Sequence, residues 1–190
     1  MRAAAGARWV AARLAAAALA AAILLPALAP REAAAHSASD AYLSLTVDAT
    51  ETRGLLIHGQ WDIALRDLDF VLHLDDDGDG RVTWGEVRRH QASIEHLAYQ
   101  ALHLGESLNT GGGSCSIKPV RQMIDEHADG AYASLFFDVI CARPTRKLTL
   151  DYGLFFAIDP SHRGIFVMRS GANVATAVLS PGNASIEVSL

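Results

Sequence analysis

The chain has 190 residues, of which 51% are hydrophobic and 19% charged, and its formal net charge at pH 7 is −5. An acidic chain of this kind is poorly suited to bind nucleic acid or an anionic membrane surface. The composition therefore predicts a globular protein that binds neither nucleic acid nor an anionic membrane surface.

The first 35 residues are predicted to be a secretory signal peptide that is cleaved after Ala35. Three arginines begin it, the apolar run "LAAAALAAAILL" follows, and "REAAAHS" supplies the small residues of a cleavage site. A retained membrane anchor is the alternative, but the run is shorter than the roughly 20 apolar residues of a transmembrane helix. Because the leader carries four arginines and one glutamate, its removal changes the net charge from −5 to −8. Residues 36–190 would then form an exported, periplasmic or otherwise extracytoplasmic domain.

Two strands and two helices are predicted over the next part of the chain. Residues 41–47 alternate apolar and polar side chains, and residues 54–65 form a second β-like run. The apolar pattern then changes to that of a short helix over 65–74. Residues 84–102 place apolar side chains at three- and four-residue steps, which predicts an amphipathic helix with Gly105 as its cap.

The stretch "HLDDDGDGRVTWGEV" lies between the two predicted helices. With Asp75 as position 1, it has aspartates at positions 3 and 5, glycine at 6 and glutamate at 12, which is the complete calcium-loop pattern. Ca²⁺ prefers six to eight oxygen ligands, and Gly80 permits the sharp bend that brings them together. The predicted ligands are Asp75, Asp77, Asp79, the backbone carbonyl of Arg81, Thr83 and Glu86. The alternative is a solvated acidic turn, and Asp76 is expected to face solvent in either case.

Residues 65–102 resemble the EF-hand family through this loop and its flanking helices. EF-hands usually pair through the residue at position 8, which is Val82 here, and the sequence holds one such loop. Val82 is therefore expected to meet another strand, to meet a second molecule, or to stay unpaired. A single exported site favours a structural role, whereas a sensor would expose an apolar groove when calcium binds.

The chain after the flexible turn "NTGGGS" is predicted to form strands separated by turn residues. The strands are expected at 115–124, 131–141, 147–156, 164–168, 174–179 and 185–190. The predicted fold is thus α+β, an antiparallel β-sandwich-like domain with an inserted helix-loop-helix.

A disulfide between Cys115 and Cys141 is predicted because an even cysteine count in an exported chain favours pairing. If the hairpin around "HADG" is centred on Ala128, paired residue numbers sum to 256, as 115 and 141 do. This register requires no bulge in either strand. The alternative is two buried free thiols.

A second resemblance rests on the segments "AHSASDAYLSL", "GQWDIALRDLDFVLHLDDDGDGRVTWGEV" and "SPGNASIEVSL". They are similar to the extracytoplasmic N-terminal region of bacterial HupE/UreJ-type membrane proteins. The resemblance implies a multi-helix membrane domain, described as a nickel or cobalt carrier, beginning near Leu190. The chain is then expected to be either a free-standing relative or the soluble part of a longer protein.

Three histidines and two tryptophans are further candidates for metal ligands or core anchors. His36 would become the mature N-terminus and could bind a second metal such as Ni²⁺ or Cu²⁺. His96 and His103 could share a helix face, although their spacing matches no zinc pattern. Trp61 and Trp84, on either side of the helix-loop-helix, are expected to be core anchors.

The sequence contains no nucleophile motif, so an enzyme is not expected. It predicts an exported calcium-binding module with a structural or interaction role, whose partners are the calcium ion and a possible membrane protein. The alternative is a soluble accessory of nickel or cobalt uptake that works with a HupE/UreJ-type membrane domain.

Overall fold

A computed structural model of the chain describes residues 39–48, 54–106, 113–143 and 145–190. These residues belong to the second of two units, Ser37–Leu190. The predicted signal peptide, its cleavage site and His36 lie outside the described residues. No helix among the described residues is long and apolar enough to cross a membrane.

The described chain consists of nine strands and three helices. In chain order they are β1 (Asp40–Val47), β2 (Leu55–Ala64), α1 (Leu65–Leu72), α2 (Trp84–Arg89), α3 (Gln91–Gln100), β3 (Leu102–Glu106), β4 (Ser116–His127), β5 (Gly130–Cys141), β6 (Lys147–Tyr152), β7 (Arg163–Ser170), β8 (Asn173–Leu179) and β9 (Ser185–Ser189). The fold is therefore α+β and mostly β-sheet, and its helices lie between β2 and β3.

The strands form two sheets. The first has six strands in the order β4-β5-β2-β1-β7-β8, and the second has three in the order β3-β6-β9. Every strand pairing is antiparallel except that of β1 with β7, which is parallel. The expectation of an antiparallel sheet is therefore wrong at this pair of strands. No tight turn joins β1 to β7, and only a short connection of that kind forces two neighbouring strands to be antiparallel.

The two sheets and the helices share one hydrophobic core. Alternate residues of β1 are buried, as the period of two predicts. The fully buried Trp61 of β2 contacts Tyr152 of β6, with 5.5 Å between their ring centroids, so this aromatic pair joins the sheets. Trp61 is thus the core anchor that the sequence predicts. Trp84 is not, since its position at the start of α2 leaves the side chain 43% exposed while Val87 is buried.

The predicted helix over 84–102 is interrupted and shorter than expected. It breaks at His90, whose φ and ψ of −93° and 6° separate α2 from α3, and it ends at Gln100. The following residues form β3, where Leu102 and Leu104 are buried on alternate positions. Gly105 pairs with Thr149 in the sheet and caps no helix. His103 lies on β3 as well, so it shares no helix face with His96.

Cys115 and Cys141 form the predicted disulfide, with a Cα–Cα distance of 4.3 Å. At this end of the hairpin the register is the expected one, since Ser116 pairs with Ile140 and Pro119 with Phe137. The register shifts between Pro119 and Arg121, and the turn is formed by residues 128 and 129. The expectation of a hairpin without a bulge is therefore wrong. Proline cannot donate a ladder hydrogen bond, and bulges commonly accommodate it.

Removal of the disulfide should destabilise the fold. The bond closes a loop with a sequence separation of 26 residues, and such a loop stabilises a protein by about 3 to 4 kcal/mol on the chain-entropy model. We expect the Cys115→Ser/Cys141→Ser variant to lose roughly this free energy of unfolding in urea titrations. Reductant should not change the stability of the variant. The reduced wild-type protein should have a free energy of unfolding close to that of the variant. Equal stability of oxidised and reduced wild-type protein would contradict the prediction.

Gly59 should not tolerate alanine. A Cβ atom at this position in β2 would lie 2.4 Å from the ring of Phe137, which is itself buried in the core. We expect Gly59→Ala to lower the free energy of unfolding by about 1 to 3 kcal/mol through overpacking. Gly182→Ala is the matched control, because no atom lies within 4 Å of its added Cβ. Equal thermal stability of the two variants would show that the Phe137 ring moves aside freely.

Candidate metal centre

The acidic loop is fixed at both ends by hydrogen bonds to the helices. At its start, His73 adopts a left-handed conformation with φ 52° and ends α1. The Asp69 carboxylate of α1 then accepts a hydrogen bond from the Asp75 backbone N–H at 3.0 Å. At the other end, Thr83 caps α2, because its side chain accepts from the Glu86 N–H. Short helices thus set the position of a loop that has no regular structure of its own.

The loop curls around the Asp75 carboxylate. Its Oδ1 atom accepts from the N–H groups of Gly78 and Asp79 at 2.8 and 3.2 Å, and its Oδ2 atom accepts from Gly80 N–H at 2.8 Å. Gly78 and Gly80 have φ values of 73° and 82°, which L side chains rarely adopt. Gly80, the glycine predicted at the bend, is therefore required by its positive φ, and Gly78 is required for the same reason.

Glu86 is buried, with 2% of its surface exposed, and its carboxylate closes the loop. Oε2 accepts from both the Thr83 hydroxyl and the Thr83 N–H at 2.7 Å, and Oε1 accepts from the Asp76 N–H at 3.0 Å. Hydrogen bonds from Thr83 lower the pKa of the Glu86 carboxyl, and the charge of Arg89 lowers it further. The structure therefore holds a negative charge where position 12 of the pattern requires one.

Three of the predicted ligands come together. Each of Asp75, Asp77 and Glu86 offers a carboxylate oxygen, and these oxygens lie within 4.8 Å of one another. Two oxygens on opposite sides of a Ca²⁺ ion, each at roughly 2.4 Å, would be separated by no more than about 4.8 Å. The oxygen donors and their spacing therefore fit a hard divalent cation.

The remaining predicted ligands lie around this group but are not part of it. The Asp79 carboxylate accepts from the Arg81 N–H at 2.8 Å, which makes a local turn. The Thr83 hydroxyl is bonded to Glu86. Arg81 is exposed, as expected of a position that contributes only its carbonyl.

Asp76 points out of the loop, as predicted, but it has partners that the sequence did not reveal. Its carboxylate bonds to Arg89 Nε at 2.7 Å and to His90 Nε2 at 2.8 Å. The hydrogen bond from His90, together with that from Arg89, lowers the pKa of the Asp76 carboxyl. Asp76 thus ties the loop to the junction of α2 and α3 and leaves the inner oxygens to the other carboxylates.

Val82 forms no β-bridge within the described part of the chain. Its half-buried side chain instead lines a cavity of about 310 Å³, together with Gly80 of the loop and Asp129 and Gly130 at the turn of the β4–β5 hairpin. The residue at position 8 thus borders a hairpin turn of its own chain.

A second polar cluster, also missed by sequence reasoning, holds α1 to the residue that precedes β1. The Ser39 hydroxyl donates to Asp67 of α1 at 2.8 Å and lies 2.7 Å from Nδ1 of the fully buried His162. His162 Nε2 lies 2.8 Å from the Tyr152 hydroxyl. Since Ser39 uses its proton on Asp67, the bonds are satisfied by a neutral histidine that donates from Nδ1 and accepts at Nε2.

No protein-family model matches the chain, and no curated protein is similar to it. The similarity to HupE/UreJ-type proteins and to EF-hands therefore stays a prediction from the residues quoted above.

Stability should fall as His162 becomes protonated. Burial lowers the pKa of His162 from its ordinary value of 6.5, although Asp67, Asp159 and Asp40 act in the opposite direction. Because the unfolded chain binds this proton more readily, the stabilisation is complete above pH 6.5 and is lost as the pH falls towards the folded-state pKa. We expect the wild-type free energy of unfolding to fall more steeply below this pH than that of His162→Gln, by at most about 1.4 kcal/mol per pH unit. His96→Gln, an exposed position on α3, is the control, and identical slopes for all three proteins would contradict the prediction.

Proposed function

We propose that residues 65–102 form an EF-hand that binds one Ca²⁺ ion within an exported, sandwich-like β domain, and that the protein is a calcium-binding module with a structural role. The observation that carries the proposal is the convergence of the Asp75, Asp77 and Glu86 oxygens. These are positions 1, 3 and 12 of the loop pattern, and they meet without a histidine or cysteine among them. Asp79, the Arg81 carbonyl and Thr83 would complete the shell.

A solvated acidic turn accounts poorly for this arrangement. Carboxylates that repel one another would be expected to point apart into water, yet Glu86 is buried and the Asp75 side chain is turned inward onto the loop N–H groups. The hydrogen bonds offset part of the repulsion and hold the oxygens close together. A divalent cation would neutralise the rest.

The packing of the helices favours a structural role over a switch. Leu65 and Leu68 of α1, Val87 of α2 and Ile94 of α3 are all buried in the common core. A sensor EF-hand opens a methionine-rich apolar groove when it binds calcium. Opening here would expose these core residues, so we infer that the ion fixes the angle between the helices and the sheets.

The disulfide indicates an oxidising, extracytoplasmic compartment. Extracellular calcium modules bind with dissociation constants of about 10⁻⁴ to 10⁻³ M, because calcium is abundant there. We expect the same range for this site. Export itself, and the signal peptide that would direct it, remain part of the proposal.

The alternative of a nickel or cobalt accessory for a HupE/UreJ-type membrane domain is less well supported. The metal-ligating group found among the described residues contains only carboxylates. Imidazole and thiolate ligands suit nickel better than carboxylates do. His58 and His90, for example, are hydrogen-bonded to Asp138 and Asp76.

Calorimetric and thermal-unfolding titrations of the purified protein with CaCl₂ test the proposal. At a calcium concentration ten times the dissociation constant, we expect a stabilisation of about 1.4 kcal/mol and a corresponding rise in Tm. Asp75→Asn should abolish both the binding heat and the shift, because it removes a carboxylate that points at the ion.

Asp76→Asn is the matched control, since it removes the adjacent charge, which points away from the proposed ion. It should bind calcium with at most a small loss of affinity. NiCl₂ should give no shift that depends on Asp75. The proposal fails if several millimolar CaCl₂ produces neither heat nor a thermal shift, or if the two variants lose binding equally.

A further inference from the structure

A cavity of about 420 Å³ lies between α1 and the connection from β6 to β7. Its apolar wall is formed by Phe70 of α1 and by Phe155 and Ile158 of the connection. Cavities of about 300 to 1,000 Å³ that combine apolar walls with a few polar groups are the usual sites for small ligands. The described lining contains no residue of the acidic loop, so this cavity is separate from the proposed calcium site.

Two side chains of the apolar wall are exposed to solvent. Phe70 is 76% exposed, which makes it the most exposed large apolar side chain that the structure describes, and Ile158 is 53% exposed. Leu65 and Leu68 of the same helix are buried, so the core does not need the Phe70 ring. The two exposed side chains therefore offer apolar surface to a ligand in the cavity.

The third side chain of the wall lies in a strained turn. Phe155 has a φ of 59°, a left-handed conformation that bulky residues rarely adopt. Its carbonyl accepts hydrogen bonds from the N–H groups of Ile158 and Asp159 at 2.9 and 2.8 Å. Its ring packs edge-on against that of the buried His162, with 5.1 Å between the centroids. Strain of this kind is concentrated at functional sites, and here the turn brings Ile158 and Asp159 to the cavity.

The first of the two carboxylates in the cavity already has partners. Asp67 accepts a hydrogen bond from the Ser39 hydroxyl at 2.8 Å, and its other oxygen lies 3.5 Å from Arg66 Nε. All three residues line the cavity. The guanidinium of Arg66 therefore balances the charge of Asp67.

The second carboxylate, that of Asp159, is not balanced in this way. Its Oδ1 atom accepts from the N–H and the hydroxyl of Ser161 at 2.8 and 2.6 Å, and both donors are uncharged. These hydrogen bonds lower the pKa of the Asp159 carboxyl, so it is ionised at neutral pH. Among the described residues no arginine or lysine forms an ion pair with Asp159, and His162, three residues further along, is fully buried and neutral. The cavity thus carries one negative charge without a positive partner.

We propose that this cavity binds a small amphipathic organic cation, a free amine whose hydrocarbon body lies against the apolar wall and whose ammonium group pairs with Asp159. The charges are complementary, and the apolar surroundings strengthen the ion pair because they lower the local dielectric constant. The rings of Phe70 and Phe155 add a cation–π attraction for an ammonium group that lies over them. An anion would meet the unbalanced carboxylate and is excluded.

Chemical-shift titrations of the ¹⁵N-labelled protein test the proposal with three probes that share a benzene ring. At neutral pH 2-phenylethylamine is a cation, 2-phenylethanol is uncharged and 3-phenylpropionate is an anion. We expect the amine to shift the amide signals of α1 and of residues 153–162, with a dissociation constant of about 1 mM for so small a ligand. The alcohol should bind roughly fivefold more weakly, since it lacks the ion pair, and the anion more weakly still.

Asp159→Asn should reduce the affinity for the amine to that for the alcohol and leave the affinity for the alcohol unchanged. The asparagine oxygen still accepts from Ser161, so the turn should keep its shape. Asp125→Asn is the matched control, because this exposed carboxylate of β4 also accepts a backbone N–H, at 2.9 Å, and lies outside the cavity. Phe70→Ala should weaken the binding of both the amine and the alcohol without lowering Tm, since the ring is exposed.

The proposal is overturned if 2-phenylethylamine shifts none of these signals at concentrations far above the expected dissociation constant. Equal affinities of the wild-type protein for the amine and the alcohol also overturn it, because the cavity would then not select a cation. The same holds if Asp159→Asn and Asp125→Asn bind the amine equally well.

Discussion

The absence of any linker between β2 and α1 is the constraint on which the acidic loop depends. β2 ends at Ala64 and α1 begins at Leu65, so the direction of the helix is set by a strand in the middle of the six-stranded sheet. On the other side, only Ala101 separates α3 from β3. The loop is therefore positioned by two sheets that are themselves fixed by the core, and its carboxylates converge although the described residues contain no second acidic loop beside it.

Glu86 shows how the protein tolerates a charge in such a position. A buried carboxylate is costly unless its oxygens are satisfied, and here Thr83 and the Asp76 N–H satisfy both. Outside the loop, Asp76 forms an ion pair with Arg89 and a hydrogen bond with His90. The loop thus brings Asp75 and Asp77 together with Glu86, while Asp76, which lies between the two aspartates in the sequence, turns outward to Arg89 and His90.

The features predicted from the sequence are those that depend on local spacing. The positions of Asp75, Asp77 and Glu86 follow from a twelve-residue pattern, and the disulfide follows from the register of a single hairpin. The features that the sequence does not reveal involve residues far apart in the chain, or a segment whose apolar spacing fits both a helix and a strand. The parallel pairing of β1 with β7 joins segments about 120 residues apart, as does the contact of Ser39 with His162. β3 was missed because Leu102 also continues the helical spacing of the residues before it.

The chain passes from one sheet to the other through the helices and the acidic loop, because β2 belongs to the first sheet and β3 to the second. Any mechanical load that passes along the chain between these strands must cross the acidic loop, where few backbone hydrogen bonds resist extension. A bound ion at this point would join the two halves of the loop by ligand bonds. If the site is occupied as proposed, these ligand bonds would limit how far the loop can extend when β2 and β3 are drawn apart.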